Sequence, residues 1–396
     1  MLAELLAQPV VLAVAGAAQS VAAATDLRPL AYGAFLLLIA GCLLLDLGVF
    51  HRTPHAVGAR EAALWSCVWI GLSLSFSVFV WFAYEHHWLG LGLDVDAATP
   101  DGHALAPRTV GGLEALEQYL TGYLVEFSLA MDNILVIAIA LGAFGIPRQY
   151  QHRVLFWGIL GAVAMRGAMI WLGAELVHRH SWVLVLFGAF LLATALKLAL
   201  VRGEPDPANN VLVRLLRRIV PVRTFHDGER FLTRRTVAPV SGSDPATLGR
   251  LALTPSGLAL IVVEVTDLVF AVDSIPAVFA VTLDPFLVFT SNIFAILGLR
   301  SLYFALAAAL QRFRFLQPAL VLVLAFVGVK LLLLSLPPYL DDLGALLGFE
   351  LAPVPAFAID TLVSLLVVVG VLAGALLLSV LLPPRDPGQR PRADRP

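Results

Sequence analysis

Long apolar runs alternate along this chain with short connectors that hold most of its charge. Nine runs, at 29–49, 62–84, 118–141, 154–175, 182–201, 255–277, 286–310, 318–337 and 355–382, come close to or exceed the length a helix needs to cross hydrocarbon. That length is about 20 residues for a core of roughly 30 Å. The pattern predicts an all-α polytopic membrane helix bundle of about nine transmembrane helices. Residues 9–24 (PVVLAVAGAAQSVAAA) are apolar but short and Ala-rich, and lack the basic stretch of a signal peptide, so they read as an interfacial N-terminal segment.

The connectors alternate in charge. One set carries Arg52 and Arg60, Arg148 and Arg153, a cluster from Arg202 to Arg250, Arg312 and Arg314, and Arg385 to Arg395. The other set carries Arg28, Arg108 and Arg179 beside Asp94, Asp96, Asp101, Asp341 and Asp342. Basic residues accumulate on the cytoplasmic side, which predicts an N-terminus outside and a C-terminus in the cytoplasm of a multi-pass protein of the inner (plasma) membrane. The chain then divides into a short N-terminal segment (1–28), two membrane helices with an outer loop (29–117), three helices (118–201), a basic cytoplasmic loop (202–253), three more helices (254–337), an outer loop with the last helix (338–382), and a cytoplasmic tail (383–396). Within the basic loop, VLVRLLRRIV at 211–220 reads either as an amphipathic stretch on the anionic leaflet or as a solvated linker.

Composition agrees: 59% of residues are hydrophobic, 14% are charged and mean hydropathy is +0.88. Soluble domains are nearer a quarter charged. A net charge of −2, without a basic run interleaved with aromatics, gives no sign of nucleic-acid binding. The two cysteines, Cys42 and Cys67, form no CxxC pair, and no Walker A, HExxH or GxSxG pattern occurs. No cofactor is expected, and the chain does not read as an enzyme or as directly ATP-driven.

The chemistry lies in a repeat. Glu126-FSLAMDNI and Asp267-LVFAVDSI align without gaps, matching Glu126 with Asp267, Ala130 with Ala271, Asp132 with Asp273, Asn133 with Ser274 and Ile134 with Ile275. The next run in each half carries one arginine, Arg166 or Arg300, and the third carries one lysine, Lys197 or Lys330. Three helices per unit joined by a cytoplasmic loop would run in opposite directions, an inverted three-helix repeat of the kind that places transporter sites near the midplane.

Glu126, Asp132, Glu264, Asp267 and Asp273 fall well inside the apolar runs, with Asp46 near the inner end of the first. Five such acids cost on the order of 12–17 kcal/mol on an insertion scale of about 2.5–3.5 kcal/mol each, so they must pair, protonate or bind cations. At 100° per residue Glu126, Ala130 and Asn133 share a helix face, as do Asp267, Ala271 and Ser274; Asp132 and Asp273 lie about 120° away unless the helix breaks, as Pro276 allows in the second unit. Carboxylates, an amide and a hydroxyl form an all-oxygen set suited to Mn²⁺, Mg²⁺ or Ca²⁺ rather than Zn²⁺ or Cu⁺. The opposing reading is a set of structural ion pairs with Arg166, Arg300, Lys197 and Lys330. The arginines are expected to orient or neutralise the acids when no cation is present. Lys197 also reads as snorkelling to the interface. Asn292 reads either as a ligand or as an interhelical hydrogen bond, and Glu85, His86, His87, Trp81 and Trp88 as interfacial.

The phrases EFSLAMDN, VEVTDLVFAVDSIPAVFAVT and FTSNIFAILGLRSLYF, with DLGVFHRTPH at Asp46–His55, resemble the TerC family of membrane proteins. The resemblance implies a manganese-exporting transporter, in a family first named for tellurite resistance, with Glu126, Asp132, Asn133, Glu264, Asp267 and Asp273 at the motif positions. Two other readings stay open: a non-transporting scaffold for a tellurite- or metal-stress complex, and an exporter of another substrate such as Ca²⁺ or an amino acid.

Overall fold

The computed structural model describes residues 27–45, 59–98, 105–200, 230–233, 252–306, 315–346 and 357–382. Asp46, the 211–220 stretch and most of the N-terminal segment, basic loop and tail lie outside the described residues. Helices occupy every apolar run: α1 (Arg28–Leu45), α2 (Ala59–Glu85), α3 (Gly112–Ala143), α4 (Arg148–Arg179), α5 (Val183–Leu200), α6 (Pro255–Phe279), α7 (Pro285–Leu306), α8 (Leu316–Ser335) and α10 (Thr361–Leu381), with a short α9 (Pro337–Leu346) between the last two. By length and composition seven of these can cross a membrane. The two others are α6, of spanning length but carrying Glu264, Asp267 and Asp273, and α7, whose short apolar stretch is Pro285–Gly298. The protein is an all-α polytopic bundle.

Several helices outrun the apolar stretches that predicted them. α4 starts after Pro147, whose fixed φ suits a helix N-terminus, and continues to Arg179, adding polar turns with Gln151, Arg153 and His178. Hydropathy sees only the part that needs lipid. Two elements carry no such signal: the antiparallel hairpin β1 (Val95–Ala98) and β2 (Leu105–Arg108), and α9. A second pair, β3 (Leu232–Thr233) with β4 (Ala252–Leu253), ties two points in the second half of the long connector together in front of α6. Thr254 caps α6 by accepting the Gly257 N–H at 3.1 Å, and its hydroxyl donates to the Arg230 carbonyl at 2.7 Å.

The six central helices interlock. α5 packs most extensively on α8, α3 on α7 and α4 on α6, with further α3–α6 and α4–α7 contacts, whereas contacts within either group of three are sparse. Glycines allow the closest approach: a Cβ on Gly188 would stand 3.2 Å from the Gly328 carbonyl oxygen and 2.8 Å from the Leu332 side chain, and one on Gly328 would crowd Leu191 and Leu192 at 3.1 Å. α1 and α2 cover α7 through Tyr32, Phe35, Phe76, Phe286, Phe289 and Phe294, whose ring centroids lie 4.9–6.3 Å apart.

At the end of the bundle where α3 and α7 begin, the α6–α7 connector is sewn down. The Thr282 hydroxyl donates to Gln118 Oε1 at 2.6 Å, and the Tyr84 hydroxyl donates to Asp284 Oδ2 at 2.8 Å. Asp284 Oδ1 in turn accepts the Phe286 N–H at 2.9 Å and the Leu287 N–H at 3.4 Å, capping α7.

Candidate functional site

The centre of the bundle holds a guanidinium in a cage of oxygens. Arg166 on α4 is fully buried. Its Nε and Nη2 donate to Asp267 Oδ2 and Oδ1 at 3.3 and 3.1 Å, a bidentate pair. Its Nη1 pairs with Glu126 Oε1 and lies 3.0 Å from Ser274 Oγ and 2.8 Å from Asn292 Oδ1. Helices α3, α6 and α7 thus aim four side chains at one guanidinium. Nη1 has two protons and faces three oxygens, so the cage holds more acceptors than the guanidinium can serve. Glu126 Oε2 and Asn292 Nδ2 are buried there without a hydrogen-bond partner.

Helix geometry explains who takes part. Asp267 and Ser274 are seven residues apart, two turns along one face of α6, and both reach Arg166. Glu126 and Asn133 stand in the same relation on α3, and both are buried. Ala130 and Ala271, between them on those faces, are buried to about 1% or less and bring the helices together. α6 runs unbroken through Pro276 to Phe279. With no break to reorient it, Asp273 keeps its separate face and accepts a hydrogen bond from Thr194 on α5 at 3.3 Å, away from Arg166.

Glu264 lies one turn before Asp267. Its carboxylate rests where a Cβ on Gly161 of α4 would be, and its Oε2 is buried without a hydrogen-bond partner. Beside it runs a narrow cleft of about 30 Å³, roughly the space of one or two waters. Ile134 and Ile137 of α3, Leu155, Gly158, Ile159 and Ala162 of α4, Val263 and Asp267 of α6, and Ile296 and Tyr303 of α7 line it. The cleft follows the half of the bundle where α3 and α7 finish and α4 and α6 begin, so Asp267 stands at its inner end. The Tyr303 hydroxyl donates to Gln151 Oε1 at 3.1 Å near the other end.

The remaining charged candidates are placed elsewhere. Lys197 is exposed near the end of α5, close enough to act electrostatically on Asp273. Lys330 on α8 is buried, but its ammonium donates to Ser364 Oγ of α10 at 2.9 Å, with Asp360 as the nearby acid. The side chains of Asp132 and Arg300 lie outside the described residues, as does Asp46. Among the described residues, no three His, Cys, Asp or Glu side chains are gathered closely enough to hold an ion.

Sequence reasoning passed over Gly161, Thr194 and Ser364. Thr194 had a signal, because it sits one turn before Lys197 on the same helix face. Gly161 had none, since its role depends on which helix crosses it.

Comparison with known proteins adds the following. Residues 112–386 match the family described as integral membrane protein TerC family. The chain is 42% identical to an uncharacterized membrane protein, STKORF319, of Myxococcus xanthus, over 80% of this chain and 89% of that one. It is 40% identical to proteins named "Putative membrane-bound redox modulator Alx" in Photorhabdus laumondii and Escherichia coli K12, over 81% of this chain and 90–91% of theirs. No solved structure matches it.

Proposed function

The chain belongs to the TerC family of integral membrane proteins, and on that footing we propose that it is a secondary transporter exporting divalent cations, Mn²⁺ foremost, from the cytoplasm. One observation carries this reading: two carboxylates, an amide oxygen and a hydroxyl from three helices surround a single buried cationic group, the Arg166 guanidinium. That donor set suits a hard divalent cation.

The packing supports an inverted repeat as the machinery. Exchanging α3 with α6, α4 with α7 and α5 with α8 turns the α3–α7 contact into α4–α6 and α5–α6 into α3–α8, and both members of each pair occur. The site lies where the two units meet, the usual position when one unit rocks against the other. With the orientation read from the arginines, the cleft at Asp267 faces the cytoplasm and the sewn α6–α7 connector faces outside. The cation would enter past Tyr303 and Glu264, bind among Glu126, Asp267, Ser274 and Asn292, and leave once the outer end opens. Glu264, half-buried beside the cleft with its Oε2 unpartnered, is the group placed to carry protons inward in exchange. Thiol redox chemistry, which the name of some relatives suggests, has no place at the cage, because the two cysteines, Cys42 and Cys67, lie on α1 and α2.

The test is Mn²⁺ efflux from loaded vesicles containing the purified protein. Glu126→Gln and Asp267→Asn are expected to slow efflux about tenfold or more, the scale of losing a charge-assisted ligand. Parental rates in both would sink the reading, and competition by Mg²⁺, Ca²⁺ and Zn²⁺ for Mn²⁺ binding would rank the substrates.

A further inference from the structure

We infer that Arg166 is a tethered surrogate for the transported cation, filling the oxygen cage of the empty carrier and letting the carrier reorient without cargo. The inference rests on the transport reading above and adds the step that reading leaves open: how an emptied site returns.

The geometry sets up a competition. Nη1 takes the position on which Glu126 Oε1, Ser274 Oγ and Asn292 Oδ1 converge, while Nε and Nη2 hold Asp267. The guanidinium and an ion therefore claim the same oxygens, and cation loading requires Nη1 to withdraw. Charge decides the order of preference. One guanidinium against two carboxylates leaves one negative unit unbalanced, whereas a divalent ion balances both carboxylates once the guanidinium has swung off them. The unsatisfied Glu126 Oε2 likewise shows that the arginine does not exhaust the acceptors of the cage.

Without any occupant, Glu126 and Asp267 would be two desolvated carboxylates facing each other, an expensive state that would resist moving through a closed intermediate. Arg166 removes most of that penalty, because it stays attached to α4 and cannot be lost to either side. Net efflux, in which the carrier must return empty, therefore depends on Arg166. Exchange of external for internal cation, in which the carrier is loaded in both directions, does not.

The experiment compares net Mn²⁺ efflux, Mn²⁺/Mn²⁺ exchange and Mn²⁺ binding for the parent and Arg166→Gln in vesicles, with melting in detergent to establish folding. The variant is expected to bind Mn²⁺ about tenfold more tightly because its competitor is gone, to keep exchange, and to lose net efflux about tenfold or more. Parental net efflux, or parallel loss of binding and exchange in a folded variant, would overturn the inference. If Arg166→Gln does not fold, Arg166→Lys keeps the charge but cannot span Glu126 and Asp267 together. It is then expected to bind more tightly and to lower the ratio of net efflux to exchange, and parental values of either quantity overturn the surrogate role. A parent that neither binds nor exchanges Mn²⁺, Mg²⁺ or Ca²⁺ would instead refute the transport reading itself.

Discussion

Two single residues away from the oxygen cage make sharp tests. Gly161 is the first, because the Glu264 carboxylate occupies the volume that a side chain there would need. Gly161→Ala forces the Glu264 carboxylate, the far end of a flexible side chain, to swing aside while the α4–α6 contact stays in place. The expected result is a melting temperature in detergent close to the parent's together with slower cation efflux; parental flux would show that Glu264 does not act from this position. Asp284 is the second. It sits in the α6–α7 connector, where burial pushes its carboxyl above the usual carboxylate range and the hydrogen bonds from Tyr84, Phe286 and Leu287 offset only part of the effect. The folded chain then holds this proton more tightly than the unfolded chain, so the group's contribution to stability falls as pH rises through the raised pKa. Asp284→Asn keeps the size and the capping oxygen. It is expected to melt at or above the parent at neutral pH, with the gap closing toward about pH 4, and a constant gap in melting scans across that range would contradict the assignment. Much of the cage itself was legible in the sequence. Buried charge selected Glu126, Asp267 and Arg166 but equally Asp273, and the helical period put Ser274 beside Asp267 while leaving Asp273 among the candidate ligands, because Pro276 allowed a break that the helix does not make. The Tyr84–Asp284 and Gln118–Thr282 contacts were not legible, because polar residues near helix ends look alike whether they meet water or each other.

Among elements, run length revealed the long helices, since hydrocarbon thickness leaves little freedom in the length of an apolar span. The same argument is blind to β1 and β2, whose VDAA and LAPR segments show no sustained alternation, and to α9, ten residues of mixed polarity. It is equally silent on which helices touch, because lipid and protein interiors are alike apolar. Small residues carry part of that information at α5 and α8. Gly188→Leu or Gly328→Leu places a branched side chain against the partner's backbone or leucines, and is expected to cost about 1–3 kcal/mol by overpacking. Gly370→Leu on α10, where nothing stands within 4 Å of an added Cβ, serves as the contrast and is expected to be tolerated. Thermal melting of the three variants in detergent checks this. Equal losses at Gly370 and Gly188 would mean that the glycines lower stability for some reason other than contact between the two units.

At the scale of the whole molecule, the two ends of the bundle differ. A cleft lined by Tyr303 and the first half of α4 leads to Asp267 from one end. At the other, Thr282 is bonded to Gln118 and Asp284 to Tyr84 across three helices, and the last residues of α6, Ser274 to Phe279, are all buried. If the protein transports as proposed, release at that end requires this latch to break, and buried hydrogen bonds that lose their partners make the step costly. The Gln118–Thr282 pair, though buried, is the place to test this, because it joins α3 to the connector and contributes no ligand to the cage. With Cys42 and Cys67 replaced by Ser, Gln118→Cys/Thr282→Cys bridged by a short bifunctional thiol reagent is expected to stop both net efflux and exchange. Mn²⁺ binding from the cleft side should be unchanged, and cleaving a reducible bridge should restore transport. Transport at parental rate with the bridge in place would mean that the outer end need not open there. Loss of binding as well would mean that the bridge distorts the cage rather than holding an exit shut, and the route would then have to be sought along another face of the bundle.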